Sequence, residues 1–197
     1  MSNPLFTEGD DANTPLTPIE REGLILSYIT TRAELNEAEQ ENISEADQWA
    51  FSRRRGDVLD VDFLTNLHRR MLRQVWRWAG AFRTSERNIG IAPHQIEVEL
   101  HQLVDDARYW TDHKTYVPDE IALRFHHRLV AIHPFPNGNG RHARMAADLL
   151  VTRLGRPRFT WGGASLVEPA ESRRAYVSAL QAADGADIEP LLAFART

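Results

Sequence analysis

Reactive side chains are concentrated in one stretch, HPFPNGNGRHAR, from His133 to Arg144. It sets an imidazole ahead of a Pro-Phe-Pro segment, then the small turn-formers Asn137, Gly138, Asn139 and Gly140, then Arg141 and Arg144, three residues apart. Glycines let a backbone turn with its amides inward and let a ligand come close. A helix starting there would add unpaired N–H donors and a partial positive charge. The Asn139 side-chain amide offers another donor. Guanidiniums three apart share one side of a helix, where their forked donors suit phosphate oxygens. The pattern suits a di- or triphosphate cradle with an imidazole at its rim, and histidine has the pKa range to take a proton from an attacking hydroxyl. A simple helix–turn–helix corner would use the same Gly-Asn-Gly, so on residues alone both readings stand.

Those residues need two helices to hold them. Pro118, Asp119 and Glu120 open one, with an apolar stripe of Ile121, Phe125, Leu129 and Ile132. Pro134 disfavours helical geometry at His133, so that helix should end there. A second, carrying Met145, Leu149 and Leu150, should follow the glycine loop and stop near Gly155 and Pro157. Upstream, Thr17-Pro-Ile-Glu20 has the form of a capping box. Residues 31–56 are strongly helical in propensity, with an expected break near Asn42–Ser44 and a stop at Gly56, where Arg53, Arg54 and Arg55 would meet the helix's negative end. Asp60 can cap a helix bearing Leu64, Leu67, Met71, Val75 and Trp78, ended by Gly80. FRTSERNIGIAPHQI suits a short hairpin. Helices are further expected at 95–113, 169–183 and 188–195. The sum is one all-α domain of seven or eight helices with a short β-hairpin.

Composition narrows the function. The chain has 197 residues, 42% hydrophobic and 26% charged, with a formal net charge of −5. General attraction to nucleic acid is not expected of such a chain, so an anion would bind only at a local cluster of donors. With no cysteine there is no disulfide frame and no thiolate nucleophile or metal ligand. No apolar run has the length of a membrane span and the N-terminus lacks a secretory pattern, so the expected location is cytoplasmic. His127, His133 and His142 lack the spacing of a metal site. The five tryptophans suit packing better than a nucleotide stack.

HPFPNGNGRHAR resembles the Fic family motif: His-Pro-Phe, a variable residue, an acidic residue, Gly-Asn-Gly-Arg and a second arginine three residues on. WRWAGAFRTSERNIGIAPHQIEVELHQL is similar to the Fic segment that runs through a flap into the next helix. The likeness covers roughly residues 20–195 and looks closest to the bacterial group named mobile mystery protein B. It implies an adenylyltransferase that moves AMP from ATP to a Ser, Thr or Tyr hydroxyl of a protein. It further implies His133 as general base, Phe135 as a buried anchor and Gly138, Asn139 and Gly140 as the anion hole. Arg141 and Arg144 would hold the outer phosphates. Asn88, Ile89 and Gly90 would form the flap that docks the target, and a helix-turn-helix protein is an implied partner. Residues 1–16 would be a flexible arm, 17–56 N-terminal helices and 57–197 the Fic core.

The departure is Asn137, where the family carries an acidic ligand for Mg²⁺; an amide oxygen is a neutral, weaker ligand for a hard cation. A non-catalytic nucleotide- or protein-binding module, or a transferase with another phosphate-containing donor, are the alternatives this opens. Many Fic proteins also carry an inhibitory helix whose glutamate pairs with the second motif arginine. The resemblance places that role on Glu41, followed by Asn42, opposite Arg144; a solvated helix face is the other reading of Glu41.

Overall fold

The computed structural model describes residues 17–52, 56–163 and 169–197. The expected arm at 1–16 and the arginine run at 53–55 lie outside the described residues. Among the described residues the regular structure is eight α-helices and a single 3-10 turn at Pro93–Gln95: α1 Pro18–Arg21, α2 Arg32–Phe51, α3 Val61–Leu72, α4 Ile96–Asp112, α5 Pro118–Ile132, α6 Asn139–Arg153, α7 Pro169–Asp184 and α8 Glu189–Arg196. No strand occurs among the described residues; Leu24 and Trp76 form an isolated antiparallel bridge. Nor is any described helix long and apolar enough to cross a membrane.

Local chemistry explains most boundaries. Thr17 and Glu20 form the expected capping box of α1, and Thr31 with Glu34 repeats the device on α2. Asp60 accepts from the Phe63 N–H at the start of α3. The expected break of α2 at Asn42–Ser44 is absent. Both polar residues are satisfied inside the helix: Asn42 donates to the Arg70 carbonyl and accepts from the Gln74 N–H, while the Ser44 hydroxyl donates to the Gln40 carbonyl. The helix stops at Phe51, before the expected Gly56.

Helix α3 also ends earlier than its apolar stripe suggests, at Leu72. Beyond it the Val75 carbonyl accepts from the Ile25 N–H, and the Arg77 N–H donates to Gly23. A tertiary partner has taken groups that a longer helix would have used itself.

Helix α6 lies at the centre, against α5, α3 and α2. Ala143, Ala146 and Ala147 are fully buried, and their small side chains admit the neighbouring helices closely. The expected stripe of α5 is buried along its length. Helices α7 and α8 pack together, and α8 rests on α5. The α5–α6 connection, which holds the reactive residues, thus joins the two helices that pack most extensively on each other among the described residues.

Candidate active site

His133 ends α5 in the left-handed conformation, φ 53° and ψ 59°, with its N–H still bonded to the Leu129 carbonyl. Pro134 stops the helix, as its ring requires. Gly138 starts the return at φ 78°, and a Cβ there would lie 2.8 Å from Leu72 Cδ1. Asn139 staples the loop: its Oδ1 accepts from the Phe135 N–H at 2.9 Å and its Nδ2 donates to the Phe135 carbonyl at 2.8 Å. This corrects the expectation that the Asn139 side chain faces an anion. Both ends of the amide are spent on loop closure, and only its backbone N–H stands at the helix start.

The loop is seated on aromatic rings. Buried Phe135 stacks on His68 with centroids 3.7 Å apart and meets His142 edge-on at 5.1 Å. His68 accepts from the Gly80 N–H at Nδ1, so its proton is on Nε2, which donates to the Asn137 carbonyl at 3.0 Å. Burial holds this imidazole well below its ordinary pKa, hence neutral. His142 donates to the Leu64 carbonyl, and His127 pairs with Asp184. Among the described residues no three histidine or acidic side chains gather as a metal site.

The expected hairpin is replaced by a side-chain clamp. Residues 81–92 carry no ladder. Buried Arg83 instead donates to the carbonyls of His133 at 2.6 Å, Ser85 at 3.0 Å and Ile91. One guanidinium with five donors does the work of a short ladder and ties the segment to the end of α5. Gly90, at φ 98°, touches the site directly: a Cβ there would lie 2.7 Å from His133 Cβ. Ile89 is half exposed and lines the cleft, and Asn88 is exposed beside it. Arg87 is held by Glu20 of α1.

The cleft has a volume of about 600 Å³. His133, Asn137, Gly138, Asn139, Gly140, Arg141 and Arg144 all border it, so the structure brings the sequence-derived residues together. A Cβ on Gly140 would meet nothing within 4 Å, so this glycine leaves space that a ligand can enter. The far wall comes from Trp161, Tyr176, Val177, Leu180 and Phe194.

The two arginines are held differently. Arg141 Nη1 donates to Glu39 Oε2 at 2.7 Å, and Glu39 Oε1 accepts from Trp76 Nε1 at 2.7 Å. The Arg144 guanidinium lies over the Tyr176 ring, 5.5 Å from its centroid. The expected Glu41–Arg144 pair does not form. Glu39 belongs to the buried face of α2 with Leu35, Asn42, Ile43, Ala46 and Ala50. Two residues on, about 200° around the helix, Glu41 faces solvent.

Burial pushes the His133 imidazole down to about 4, and the charges of Arg83 and Arg87 add to the effect, while the Val130 carbonyl opposes it. It is therefore neutral near pH 7. The Asn137 Oδ1 accepts from the Gly138 N–H at 2.6 Å. That oxygen is neutral and turned onto its own loop, so the residues present do not fit a divalent-cation site.

Sequence reasoning missed Glu39, His68, Arg83 and Tyr176. For three of them a signal was available: Glu39 continues the Leu35–Ile43 stripe, His68 the Leu64–Met71 stripe, and Tyr176 heads the stripe of Ala179, Leu180 and Ala183. Arg83 sits in no such pattern.

Residues 58–151 match the family model described as Fic/DOC family. Protein adenylyltransferase fic-1 of Caenorhabditis elegans is 32% identical over 142 residues, 70% of this chain and 27% of that protein. Protein adenylyltransferase Fic of Aedes aegypti is 29% identical over 144 residues, 71% of this chain and 28% of that protein. The chain thus spans little more than a quarter of the length of these two relatives. The solved structure of Fic-1 from C. elegans aligns with a TM-score of 0.61 at 27% identity, covering 90% of this chain and 56% of that one. The fold is also similar to BepC protein of Bartonella tribocorum with bound AMPPNP, with a TM-score of 0.67 at 19% identity over 91% of this chain and 97% of that one. These two relatives are animal proteins and the second structure is bacterial, so the bacterial grouping implied by the resemblance gains no support from them.

Proposed function

The chain carries a Fic/DOC family domain, and from that premise we propose that it is a protein adenylyltransferase, moving AMP from ATP to a hydroxyl side chain of a protein. One observation carries the reading: a single cleft is bordered by a neutral imidazole and by the glycine-rich start of a buried helix. The loop amides and the α6 N-terminus would receive the α- and β-phosphates, with Arg141 and Arg144 beyond them. His133 would take the proton of the incoming hydroxyl, whose oxygen attacks the α-phosphorus. The bond to the bridging oxygen breaks and pyrophosphate leaves. A bound polyanion would raise the His133 pKa from its depressed value, toward the range suited to a general base. The exposed Ile89 and the Arg83-clamped segment beside it would face the target.

Because residues 17–52 supply Glu39 and Glu20 to this architecture, we place them as a buttress of the catalytic unit at 57–197. Asn137 favours a second reading in one respect, a donor gripped by arginines and amides without a divalent cation. Intact-mass measurement of the chain and of candidate targets, after incubation with ATP, other nucleotides or phosphocholine donors, with and without chelator, tests both readings. An AMP adduct from ATP is expected; no adduct from any donor sinks the transferase reading.

A further inference from the structure

We infer that Tyr176 of α7 is a positioning residue for Arg144, its ring face aiming the guanidinium into the cleft at the outer phosphates of the donor. This rests on the nucleotide-binding reading above. Arg144 and Tyr176 border the same cleft, with the guanidinium carbon 5.5 Å from the ring centroid. The ring is itself fixed from two sides. Its hydroxyl lies 2.9 Å from Nε2 of His126, and its ring centroid lies 5.5 Å from that of Phe194, the two planes tilted by 39°. His126 is fully buried on α5, against Trp161. Burial holds the Tyr176 hydroxyl protonated, up to about 12, and the His126 imidazole neutral, down to about 3. Both groups therefore stay uncharged throughout the neutral range, and the hydrogen bond between them persists, holding the ring edge to α5.

The contrast with Arg141 gives the arrangement its meaning. Glu39 holds Arg141 through a carboxylate, which uses one of its donors and offsets its charge. Among the described residues no carboxylate pairs with Arg144. A ring face restrains a guanidinium through the π cloud while leaving its edge donors and its charge available. It also reduces the rotamer freedom that a long side chain loses when it binds a ligand. The first arginine is thus anchored and the second is presented. His126 and Tyr176, 50 residues apart in sequence, act on phosphate binding only through Arg144.

The test is calorimetric titration of the whole chain with ATP and with AMP. The proteins are wild type, Tyr176→Leu, Tyr176→Phe, Arg144→Ala and the double variant Tyr176→Leu with Arg144→Ala. Tyr176→Leu is expected to weaken ATP about tenfold and AMP less than twofold, because AMP lacks the outer phosphates. Tyr176→Phe, which keeps the ring, should recover most of the ATP affinity. The double variant should bind ATP no more weakly than Arg144→Ala alone. Equal losses for ATP and AMP, no loss in Tyr176→Leu, or additive losses in the double variant overturn the inference. A measurement on the wild type guards against a leucine variant that fails to fold. The Arg144 Nε–H proton should show an upfield ring-current shift, and its absence also overturns the inference. If wild type binds neither nucleotide, the functional reading fails and takes this one with it; if ATP binds and the Tyr176 pattern is missing, only this inference fails.

Discussion

Glu39 and Arg141, 102 positions apart in sequence, meet at 2.7 Å between Oε2 and Nη1. The glutamate is buried to 6% exposure and bonds the Trp76 indole with its other oxygen. One carboxylate thus ties α2, the turn after α3 and the start of α6. Removing it orphans a buried N–H and frees the guanidinium, which is itself partly exposed and so partly compensated by water. Glu39→Ala is expected to cost about 2 kcal/mol of stability. Glu41→Ala, two residues on, should leave the unfolding midpoint and ATP affinity unchanged. Urea denaturation and nucleotide titration of the two variants check the assignment, and a Glu41 effect larger than the Glu39 effect would reverse it.

His133→Ala should abolish transfer while ATP binding stays within about threefold of wild type. The imidazole serves the incoming hydroxyl and not the phosphates. Labelling with ATP bearing a radioactive α-phosphate, alongside calorimetry, separates the two effects. Transfer at the wild-type rate would remove His133 from the mechanism.

Gly138 and Gly140 should respond oppositely to alanine. At Gly138 the positive φ and the approach of Leu72 make Gly138→Ala destabilising by about 1–3 kcal/mol. Gly140 is helical with open space at its Cβ position, so Gly140→Ala should keep or slightly raise stability, by up to about 1 kcal/mol. It should weaken ATP at least tenfold, because the methyl occupies cleft space. Thermal melts paired with titrations read both, and unchanged ATP affinity in Gly140→Ala would show that the phosphates lie elsewhere.

Asn137→Asp should make nucleotide binding depend on Mg²⁺. The natural amide oxygen is turned onto the Gly138 N–H and carries no charge. A carboxylate at this position supplies the hard anionic ligand the loop lacks. ATP affinity of the wild type should change little between chelator and millimolar Mg²⁺, and that of the variant should rise at least several-fold. Strong Mg²⁺ dependence in the wild type would mean that other groups hold the cation.

Acid should destabilise the fold from about pH 6.5 downward. Burial depresses His126 to about 3 and His142 to about 4, and His68 lies well below its ordinary 6.5. Above pH 6.5 these rings are neutral in both folded and unfolded chains and contribute no pH dependence. Between 6.5 and the depressed values the unfolded chain binds their protons and the folded chain does not. Stability therefore falls as pH falls, by about 1.4 kcal/mol per unit for each histidine once its unfolded form is protonated. Urea midpoints from pH 7.5 to 5 should decline, and the imidazole NMR signals of His126 and His142 should stay unshifted to pH 5. Titration of those signals near 6.5 would contradict the burial argument.

What the sequence determined by itself was whatever depends on neighbours along the chain. Capping at Thr17 and Asp60, the end of α5 before Pro134 and the glycine turn into α6 are set by backbone sterics and hydrogen bonds within a few residues. The grouping of His133 with Arg141 and Arg144 was legible for the same reason, since one short loop spans them. Tertiary structure decided everything that depends on which distant group satisfies a buried polar one. The Asn42 amide found Arg70 and Gln74 and so did not break α2; the Asn139 amide found Phe135 and closes its own loop. Arg83 replaced a strand ladder with one side chain. The choice of Glu39 over Glu41 turned on about 200° of helix rotation against a partner 102 residues away. A sequence shows that such groups need partners once buried, and only the packed fold says which partners come within reach.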